Sequence, residues 1–257
     1  MMILDERIAA LTTTSLSDID SYRQVCAAAA SDDAVFVVFR SLLAYQQILE
    51  HVSEELGAAY LEAIRTTHEK WLMANRITIG LNDAYGSPQR FEYPDIGRVS
   101  PTTLRYAYVA VELDKRFAIP PAAHVVEVGG GYGGQARLLD GLFGTRHTII
   151  DLPEPCRLAE RYLNMYAITD VEFIDALDPS PRARGGFLFL SNYALTECAP
   201  LIVRSYVERF ALHCQHGYIT GNAQRELLTE LLASKHPKFE AERPVPSEFS
   251  DNFVCTW

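Results

Sequence analysis

The stretch that decides the fold is His124–Gly134, which reads HVVEVGGGYGG. Its valines form the β-branched run of a parallel strand that is buried on both faces, and a helical pattern begins at Gln135, directly after the glycines. Glycine allows the backbone of such a turn to adopt positive φ, and the free N–H groups of the helix start point at a bound ligand. The stretch therefore predicts that a nucleotide-like ligand lies against Gly129, Gly131 and Gly133.

Two classes of cofactor compete for this glycine loop. Gly129, Gly131 and Gly134 fit the G-x-G-x-x-G pattern of dinucleotide binding. Glu127 favours a different ligand, because a carboxylate repels a pyrophosphate but suits the cationic methionine ammonium of S-adenosylmethionine. About half of the chain precedes this strand, whereas a dinucleotide-binding fold usually begins with it. The loop therefore favours S-adenosylmethionine over NAD.

Carboxylates also follow the next two predicted strands. Residues 148–153 read TIIDLP, so the second strand ends at Asp151, and we expect Asp151 and the following Leu152 to contact the cofactor. A carboxylate at that position can accept hydrogen bonds from both ribose hydroxyls of either cofactor. A third strand ends at Asp175 and Ala176. The alternative to a ligand-binding role for Asp175 is that it caps a helix or lies in a solvated turn.

A fourth strand, Gly186–Leu190, reads GFLFL and delivers polar residues to the carboxyl edge of the sheet. Ligands of open α/β sheets bind at that edge. We therefore expect Ser191 to contact the cofactor and Asn192 and Tyr193 to orient an acceptor molecule. Glu197 is the first choice for a general base or for a group that orients the acceptor hydroxyl. The alternative is that it stabilises the start of the following helix through the helix dipole.

Four segments together resemble the bacterial sugar O-methyltransferases: VVEVGGGYGG, HTIIDLPEP, FLFLSNYALTE and, upstream, SPTTLRYAYVA. The resemblance runs from about residue 100 to residue 257. It implies a class I methyltransferase fold, in which a mostly parallel seven-stranded sheet has helices on both faces and follows an N-terminal helical cap. It also implies S-adenosylmethionine as the methyl donor and a hydroxyl of a sugar or sugar-containing small molecule as the acceptor.

The same resemblance assigns roles to further residues. It implies that Asp175 and Ala176 meet the adenine amino group. It places the segment around Arg105 over the cofactor, where the guanidinium would pair with the methionine carboxylate. The alternative for Arg105 is an ion pair with a neighbouring acidic residue on the surface.

Other functions stay open beside this one. The acceptor could be a non-sugar natural-product hydroxyl or an amine. A different class of enzyme, an NAD(P)-dependent oxidoreductase, uses the same glycine loop, and a catalytically silent binding module is a third alternative. The sequence contains no Tyr-x-x-x-Lys pair of the kind that assists hydride transfer, which favours the methyltransferase.

Composition narrows the partners and the location. The net charge of −10 argues against nucleic acid as a substrate, because binding a phosphate backbone requires a basic surface. No apolar run has the length of a membrane span, and the first residues lack the pattern of a signal peptide, so we expect a cytoplasmic protein. The five scattered cysteines predict reduced thiols. We expect no metal at His213 and His216, and Arg182 and Arg184 are interpreted as solvated charges.

The region before the glycine loop is predicted to be helical over residues 1–77. Asp32–Tyr45 is interpreted as one strongly apolar helix, and Ser53–Asn75 as another. These helices would form a cap or the surface of a homodimer. The predicted domains are thus residues 1–99, the helical region, and residues 100–257, which bind S-adenosylmethionine.

An irregular connection is predicted between these two regions. Leu81–Ser100 is rich in Gly, Pro, Asn and Asp, and so long a loop suggests a substrate lid, with a plain linker as the alternative. Ser100 is a natural N-cap with Pro101 in the first helical position. A helix is therefore expected to begin there and to lead into the first strand of the sheet.

Overall fold

The computed structural model describes residues 19–178, 185–244 and 251–257. Arg182 and Arg184 lie outside these ranges. The described residues fall into two compact units whose segments alternate along the chain. The helical unit comprises the described parts of Met1–Glu112, Gly131–Leu142 and Pro153–Thr169, and the sheet unit comprises those of Leu113–Gly130, Phe143–Leu152 and Asp170–Trp257.

Helices and strands follow one another along the described residues. Their bounds are α1 Ile19–Ser31, α2 Asp33–Phe36, α3 Leu43–Leu49, α4 Glu54–Leu81, β1 Phe91–Tyr93, β2 Gly97–Val99, α5 Pro101–Phe117, β3 His124–Val128, α6 Gly134–Phe143, β4 Arg146–Asp151, α7 Pro153–Asn164, β5 Val171–Asp175, β6 Leu188–Asn192, α8 Ala194–Glu197, α9 Pro200–Arg209, β7 His216–Gly221, α10 Arg225–Leu231, β8 Lys238–Ala241 and β9 Phe253–Thr256.

The sheet unit contains a seven-stranded sheet in the order β5-β4-β3-β6-β7-β9-β8. Strand β9 is antiparallel to both of its neighbours, whereas β3, β4, β5, β6 and β7 pair in parallel. Parallel strands need crossover connections, and the order reverses at β3, where the chain turns from one side of the sheet to the other. This order, with its single antiparallel strand, is that of the class I methyltransferase fold, so the predicted fold is confirmed.

One face of the sheet packs into an apolar core of the sheet unit. Val126, Ile150, Phe189 and Ile219 contribute side chains from four neighbouring strands, and they pack with apolar residues of α9 and α10. These strands consist of near-continuous apolar residues, as expected for parallel strands that are covered by helices. The polar side chains at the ends of the strands therefore stand out against an apolar sheet.

The prediction of one helix over Asp32–Tyr45 is wrong. Helix α2 covers a single turn, a 3₁₀ turn follows at Phe39–Ser41, and Leu42 has extended backbone (φ −74°, ψ 133°) before α3 begins. The side chain of Arg40 is completely buried, and its backbone N–H donates to the carbonyl of Gly86. Because tertiary hydrogen bonds hold this segment, they override its helical periodicity.

The second predicted helix is present but longer than expected. Helix α4 starts after Ser53, whose hydroxyl accepts a hydrogen bond from the N–H of Leu56 at 3.2 Å, and it continues to Leu81. His68 has non-helical backbone (φ −144°, ψ 39°) and marks a kink. The start of the helix was thus predictable from its cap, whereas its end was placed too early.

The stretch predicted to be irregular, Leu81–Ser100, contains regular structure. Strands β1 and β2 form an antiparallel hairpin in which Phe91 pairs with Val99. The role of a lid for this stretch stays a prediction. The start of α5 is confirmed, because the Ser100 hydroxyl accepts a hydrogen bond from the N–H of Thr103 at 3.2 Å, as an N-cap does.

Two further features bear on the predicted environment of the protein. Within the described ranges, none of the helices combines the length and apolarity that a membrane span requires. The five cysteines all lie in the described residues, and no disulfide joins any two of them.

Candidate functional site

Strand register places acidic side chains at the carboxyl ends of three neighbouring strands on one face of the sheet. Asp151 of β4 pairs with Asp175 of β5, so both side chains lie on the same face. Glu127 of β3 pairs with Ile149, which lies two residues before Asp151 and therefore shares its face. Three of the carboxylates that the sequence singled out are thus brought to one face of the sheet.

The same face continues with neutral polar side chains. Glu127 also pairs with Leu190 of β6, two residues before Asn192, and Asn192 pairs with Thr220 of β7. We call Asp175, Asp151, Glu127, Asn192 and Thr220, taken in this spatial order, the polar row. Thr220 was missed by the sequence analysis, although the rule that selected Asn192, a polar residue at the end of an apolar strand, also applies to it.

Glu127 is the most unusual member of the polar row. It is 2 % exposed, and its Oε2 atom is buried without a hydrogen-bond partner among the described residues. Burial, reinforced by the neighbouring charge of Asp151, raises the pKa of the Glu127 carboxyl to about 8. An unpartnered carboxyl in the interior is unfavourable when ionised, so this group gains most from a cationic ligand.

The glycine loop has the backbone that the sequence predicts. Gly129, Gly131 and Gly133 adopt φ values of 79°, 57° and 84°. A side chain at Gly129 is excluded twice, because its Cβ would lie 2.0 Å from the Cβ of Ala194 and because positive φ strains other residues. The loop thus passes close to the start of α8.

Asp151 and Asp175 differ in the burial and in the hydrogen-bond partners of their carboxylates. Asp151 is partly buried and accepts a hydrogen bond from the N–H of Leu152 at 2.7 Å. Its backbone carbonyl accepts one from the N–H of Ala176 at 2.8 Å, which fixes the two strand ends together. Asp175 is exposed and accepts a hydrogen bond from the N–H of Leu177 at 2.8 Å. The turn that the sequence allowed for Asp175 is therefore present, and its contact with adenine stays a prediction.

Ser191 belongs to the framework of the sheet unit. Strand β6 covers Leu188–Asn192 rather than Gly186–Leu190, so Ser191 lies within it. The fully buried hydroxyl donates to the carbonyl of Val128 and accepts from the N–H of Leu195, each at 3.0 Å. These bonds join β6 to β3 and to α8, and a contact of Ser191 with the cofactor stays a prediction.

Tyr193 occupies a sharp turn between β6 and α8. Its φ of 66° is unusual for a residue other than glycine, and its N–H donates to the carbonyl of Thr220 at 2.9 Å. The phenol donates a short hydrogen bond to Glu242 and accepts one from Asn252 at 2.9 Å. Neither partner was found from the sequence, because both lie far from Tyr193 along the chain.

Glu197 is exposed at the end of the single-turn helix α8. Burial, followed by the charges of Glu197 and Asp151, raises the pKa of the neighbouring Cys198 thiol. Both carboxylates therefore lie within electrostatic reach of this thiol. The roles of Glu197 as a base or as a helix stabiliser stay predictions.

A polar cavity lies beyond the carboxyl end of β7. Its volume is about 370 Å³. Asn222, Gln224, Glu226 and Asn252 contribute polar side chains to its wall, and Phe239 contributes an aromatic ring. Asn252 also bonds to Tyr193, so the cavity adjoins the turn that follows the polar row.

Three predicted site residues belong to the helical unit. Arg105 is 9 % exposed. The pKa of His51 is lowered mainly by the burial of its own ring and, to a smaller extent, by the positive charge of Arg105. Gly131 lies against Leu49, and Gly133 against Leu163. The roles of these three residues toward a cofactor stay predictions. Over the described ranges, no group of three or more His, Cys, Asp or Glu side chains is arranged to hold a metal ion.

Comparison with known proteins gives a likeness in fold only. No family model matches the chain, and no curated protein matches it. Among solved structures, the geranyl diphosphate C-methyltransferase of Streptomyces coelicolor A3(2) is 12 % identical, with a TM-score of 0.47 over 62 % of this chain and 77 % of that one. The ribosomal protein L11 methylase of Lactobacillus delbrueckii subsp. bulgaricus is 15 % identical, with a TM-score of 0.45 over 60 % and 79 %.

A third solved structure is a protein from Galdieria sulphuraria assigned as a sarcosine dimethylglycine methyltransferase. It is 21 % identical, with a TM-score of 0.40 over 57 % of this chain. The match spans about half of its length, 51 %. These three proteins act on different substrates by their names, and the fold of the present chain is assigned from its own strand order.

Proposed function

We propose that the chain is an S-adenosylmethionine-dependent O-methyltransferase that acts on a hydroxyl of a sugar or sugar-containing small molecule. The observation that carries the proposal is the buried carboxyl of Glu127, one of whose oxygens has no hydrogen-bond partner among the residues that the structure describes. Glu127 is the penultimate residue of the central strand and lies two residues before Gly129, which has positive φ. A cationic group is the ligand that this carboxyl lacks, and a pyrophosphate is the ligand that it would repel.

Glu127, Asp151 and Asp175 lie on successive strands of the sheet. In this order they match the methionine, ribose and adenine parts of S-adenosylmethionine. Glu127 would pair with the methionine ammonium, and Asp151, on the neighbouring strand, would accept hydrogen bonds from the ribose hydroxyls. Asp175 and Ala176, one strand further, would meet the adenine, with Leu152 beside them. This order gives the cofactor a direction along the carboxyl edge of the sheet, which is where open α/β sheets bind ligands.

Catalysis in this proposal depends mainly on position. When bound, S-adenosylmethionine supplies an electrophilic methyl group that is transferred by in-line attack. Asn192 and Tyr193 hold the acceptor hydroxyl on the attack line, and Glu197 takes or orients its proton. Tyr193 is itself positioned by its hydrogen bonds with Glu242 and Asn252.

A sugar acceptor is supported by the resemblance to bacterial sugar O-methyltransferases and by the cavity beyond β7. Amide and carboxylate side chains with an aromatic ring in the same wall suit a ligand with many hydroxyls, because each hydroxyl can both donate and accept. The net charge of −10 disfavours a strongly anionic polymer as the acceptor.

Calorimetry with S-adenosylhomocysteine and with NAD tests the donor. We expect the purified protein to bind S-adenosylhomocysteine and not NAD, and Glu127→Gln to weaken the binding at least tenfold. Glu172→Gln is the matched control, since Glu172 lies on β5 and accepts a hydrogen bond from Thr148 at 3.2 Å. Binding of NAD alone would overturn the proposal, and equal affinities of the two variants would remove its main support.

A further inference from the structure

Two members of the polar row lie outside the proposed donor site, and each has a buried polar atom without a hydrogen-bond partner among the described residues. Oδ1 of Asn192 and Oγ1 of Thr220 are both buried without a partner in the part of the chain that the structure describes. Thr220 is 1 % exposed. Buried polar atoms are nearly always hydrogen-bonded, so two such atoms side by side need an explanation.

The two side chains share one face on neighbouring strands. Asn192 and Thr220 are partners in the parallel register of β6 and β7, and hydrogen-bonded strands lie about 4.8 Å apart. A single small group between the two side chains can therefore bond to both. The proposed donor site lies on the other side of Glu127 in the same row, over β4 and β5, so this pair is left for a second molecule.

Other hydroxyls of the same sheet are satisfied within the protein. Ser191 bonds to Val128 and Leu195, and Thr148 bonds to His124 at 2.9 Å and to Glu172 at 3.2 Å. The buried hydroxyls of Ser191 and Thr148 thus have hydrogen-bond partners within the protein. The buried atoms of Asn192 and Thr220 differ, because they have none among the described residues.

The chemistry of the pair selects the group that it binds. An amide oxygen only accepts hydrogen bonds, so its ligand must donate one, whereas a threonine hydroxyl can both donate and accept. A carboxylate or phosphate oxygen cannot donate to Asn192. Neither side chain carries a charge that would hold an ammonium, and a neutral hydroxyl satisfies both.

We propose that Asn192 and Thr220 form a subsite that binds a neutral hydroxyl of the acceptor, with Thr220 as a specificity-determining residue. The inference rests on the proposed methyltransferase function and adds to it a residue that the sequence did not indicate. A buried water molecule that bridges the two side chains permanently is the competing explanation, and the test separates the two.

The first test compares Thr220→Val with Thr148→Val. Both changes replace a buried strand hydroxyl with a methyl group of the same shape, but Thr148 lies on the opposite face and its hydroxyl is partnered. The probes are the methyl glycosides of glucose, galactose, mannose and rhamnose, with methyl transfer from radiolabelled S-adenosylmethionine as the readout. We expect Thr220→Val to raise the KM of the best glycoside at least tenfold. Its affinity for S-adenosylhomocysteine should change less than twofold, and its melting temperature should not fall.

Thr148→Val should show the opposite pattern, with a lower melting temperature and an unchanged KM. If Thr220→Val keeps the wild-type KM, or loses stability as Thr148→Val does, the hydroxyl serves the framework or a fixed water and the subsite is wrong.

The second test does not require turnover. The methyl resonances of threonine in the S-adenosylhomocysteine complex are followed while each of the four glycosides is added. We expect the Thr220 signal to shift with at least one glycoside and the Thr148 signal to stay in place. Failure of S-adenosylhomocysteine to bind would overturn the proposed function itself. Binding of S-adenosylhomocysteine without any response at Thr220 would overturn the subsite alone.

Discussion

Arg40 in the helical unit and Glu127 in the sheet unit are both deeply buried ionisable residues, and their surroundings differ completely. The Arg40 guanidinium donates to Glu50 at 2.5 Å, to Asp83 at 3.0 Å and to Ser100 at 3.1 Å. It also lies 4.7 Å from the centre of the Tyr132 ring. Glu127 has a buried oxygen with no partner in the described residues.

The difference separates a structural charge from a functional one. Burial acts to lower the pKa of Arg40, but the carboxylates of Glu50 and Asp83 outweigh it, so the pKa is raised well above its ordinary value. Burial raises the pKa of Glu127 to about 8, and the carboxylate of Asp151 adds to the shift. A satisfied buried charge holds the fold together, whereas an unsatisfied one destabilises the fold until a ligand of opposite charge arrives.

The largest expected effect is the loss of the buried arginine. Arg40→Met leaves two buried carboxylates without their cation, and we expect it to lower the free energy of unfolding by about 3–5 kcal/mol. Arg65→Met is the control, because Arg65 pairs with Glu62 at 2.8 Å on the surface and such pairs contribute about 1 kcal/mol or less. Urea denaturation measures both, and equal midpoints for the two variants would contradict the structural role of Arg40.

Removal of the Glu127 charge is expected to raise the free energy of unfolding, whereas removal of the Arg40 charge lowers it. Its folded-state pKa of about 8 lies above the ordinary value of 4.5, so between these values the folded protein binds more protons than the unfolded chain. The free energy of unfolding therefore falls as the pH rises from 4.5 to 8. Glu127→Gln removes this loss, and we expect a gain of roughly 2–4 kcal/mol at pH 8.5 and almost none near pH 4.

Thermal melting of the wild type and of Glu127→Gln across this pH range measures the gain. A variant that is more stable at high pH and yet binds S-adenosylhomocysteine poorly would show that this carboxyl is kept for function at the expense of stability. A gain that does not depend on pH would contradict the shifted pKa as its cause.

These two residues also show what the sequence can and cannot predict. Glu127 was found from the sequence, because a strand, a carboxylate and a glycine turn are local and their spacing is fixed. The role of Arg40 was not, because Glu50, Asp83 and Ser100 meet it only in the folded chain, and these contacts break the helix that periodicity predicts. Thr220 falls between the two cases, since its position at a strand end is local but its pairing with Asn192 is not.

An intermediate effect is expected at Asp151, which is only partly buried and has a backbone partner. Asp151→Ala should weaken the binding of S-adenosylhomocysteine by about 1–3 kcal/mol, the usual effect of removing a charged hydrogen-bond partner. Asp175→Ala, at the exposed neighbouring strand end, is the comparison and should weaken it less. Calorimetry gives both values, and an unchanged dissociation constant in folded Asp151→Ala would assign this carboxylate to the framework.

The smallest effect on the fold is expected at Glu197, whose carboxylate is exposed. Since water already solvates it, Glu197→Gln should change the free energy of unfolding by only a few tenths of a kcal/mol. Its effect on turnover is the sharper measurement. If Glu197 takes or orients the acceptor proton, single-turnover methyl transfer should slow by roughly 10²-fold or more, while the affinity for S-adenosylhomocysteine stays the same. Normal transfer with a lowered melting temperature would show instead that Glu197 only stabilises the helix start, and the acceptor proton would then need another base.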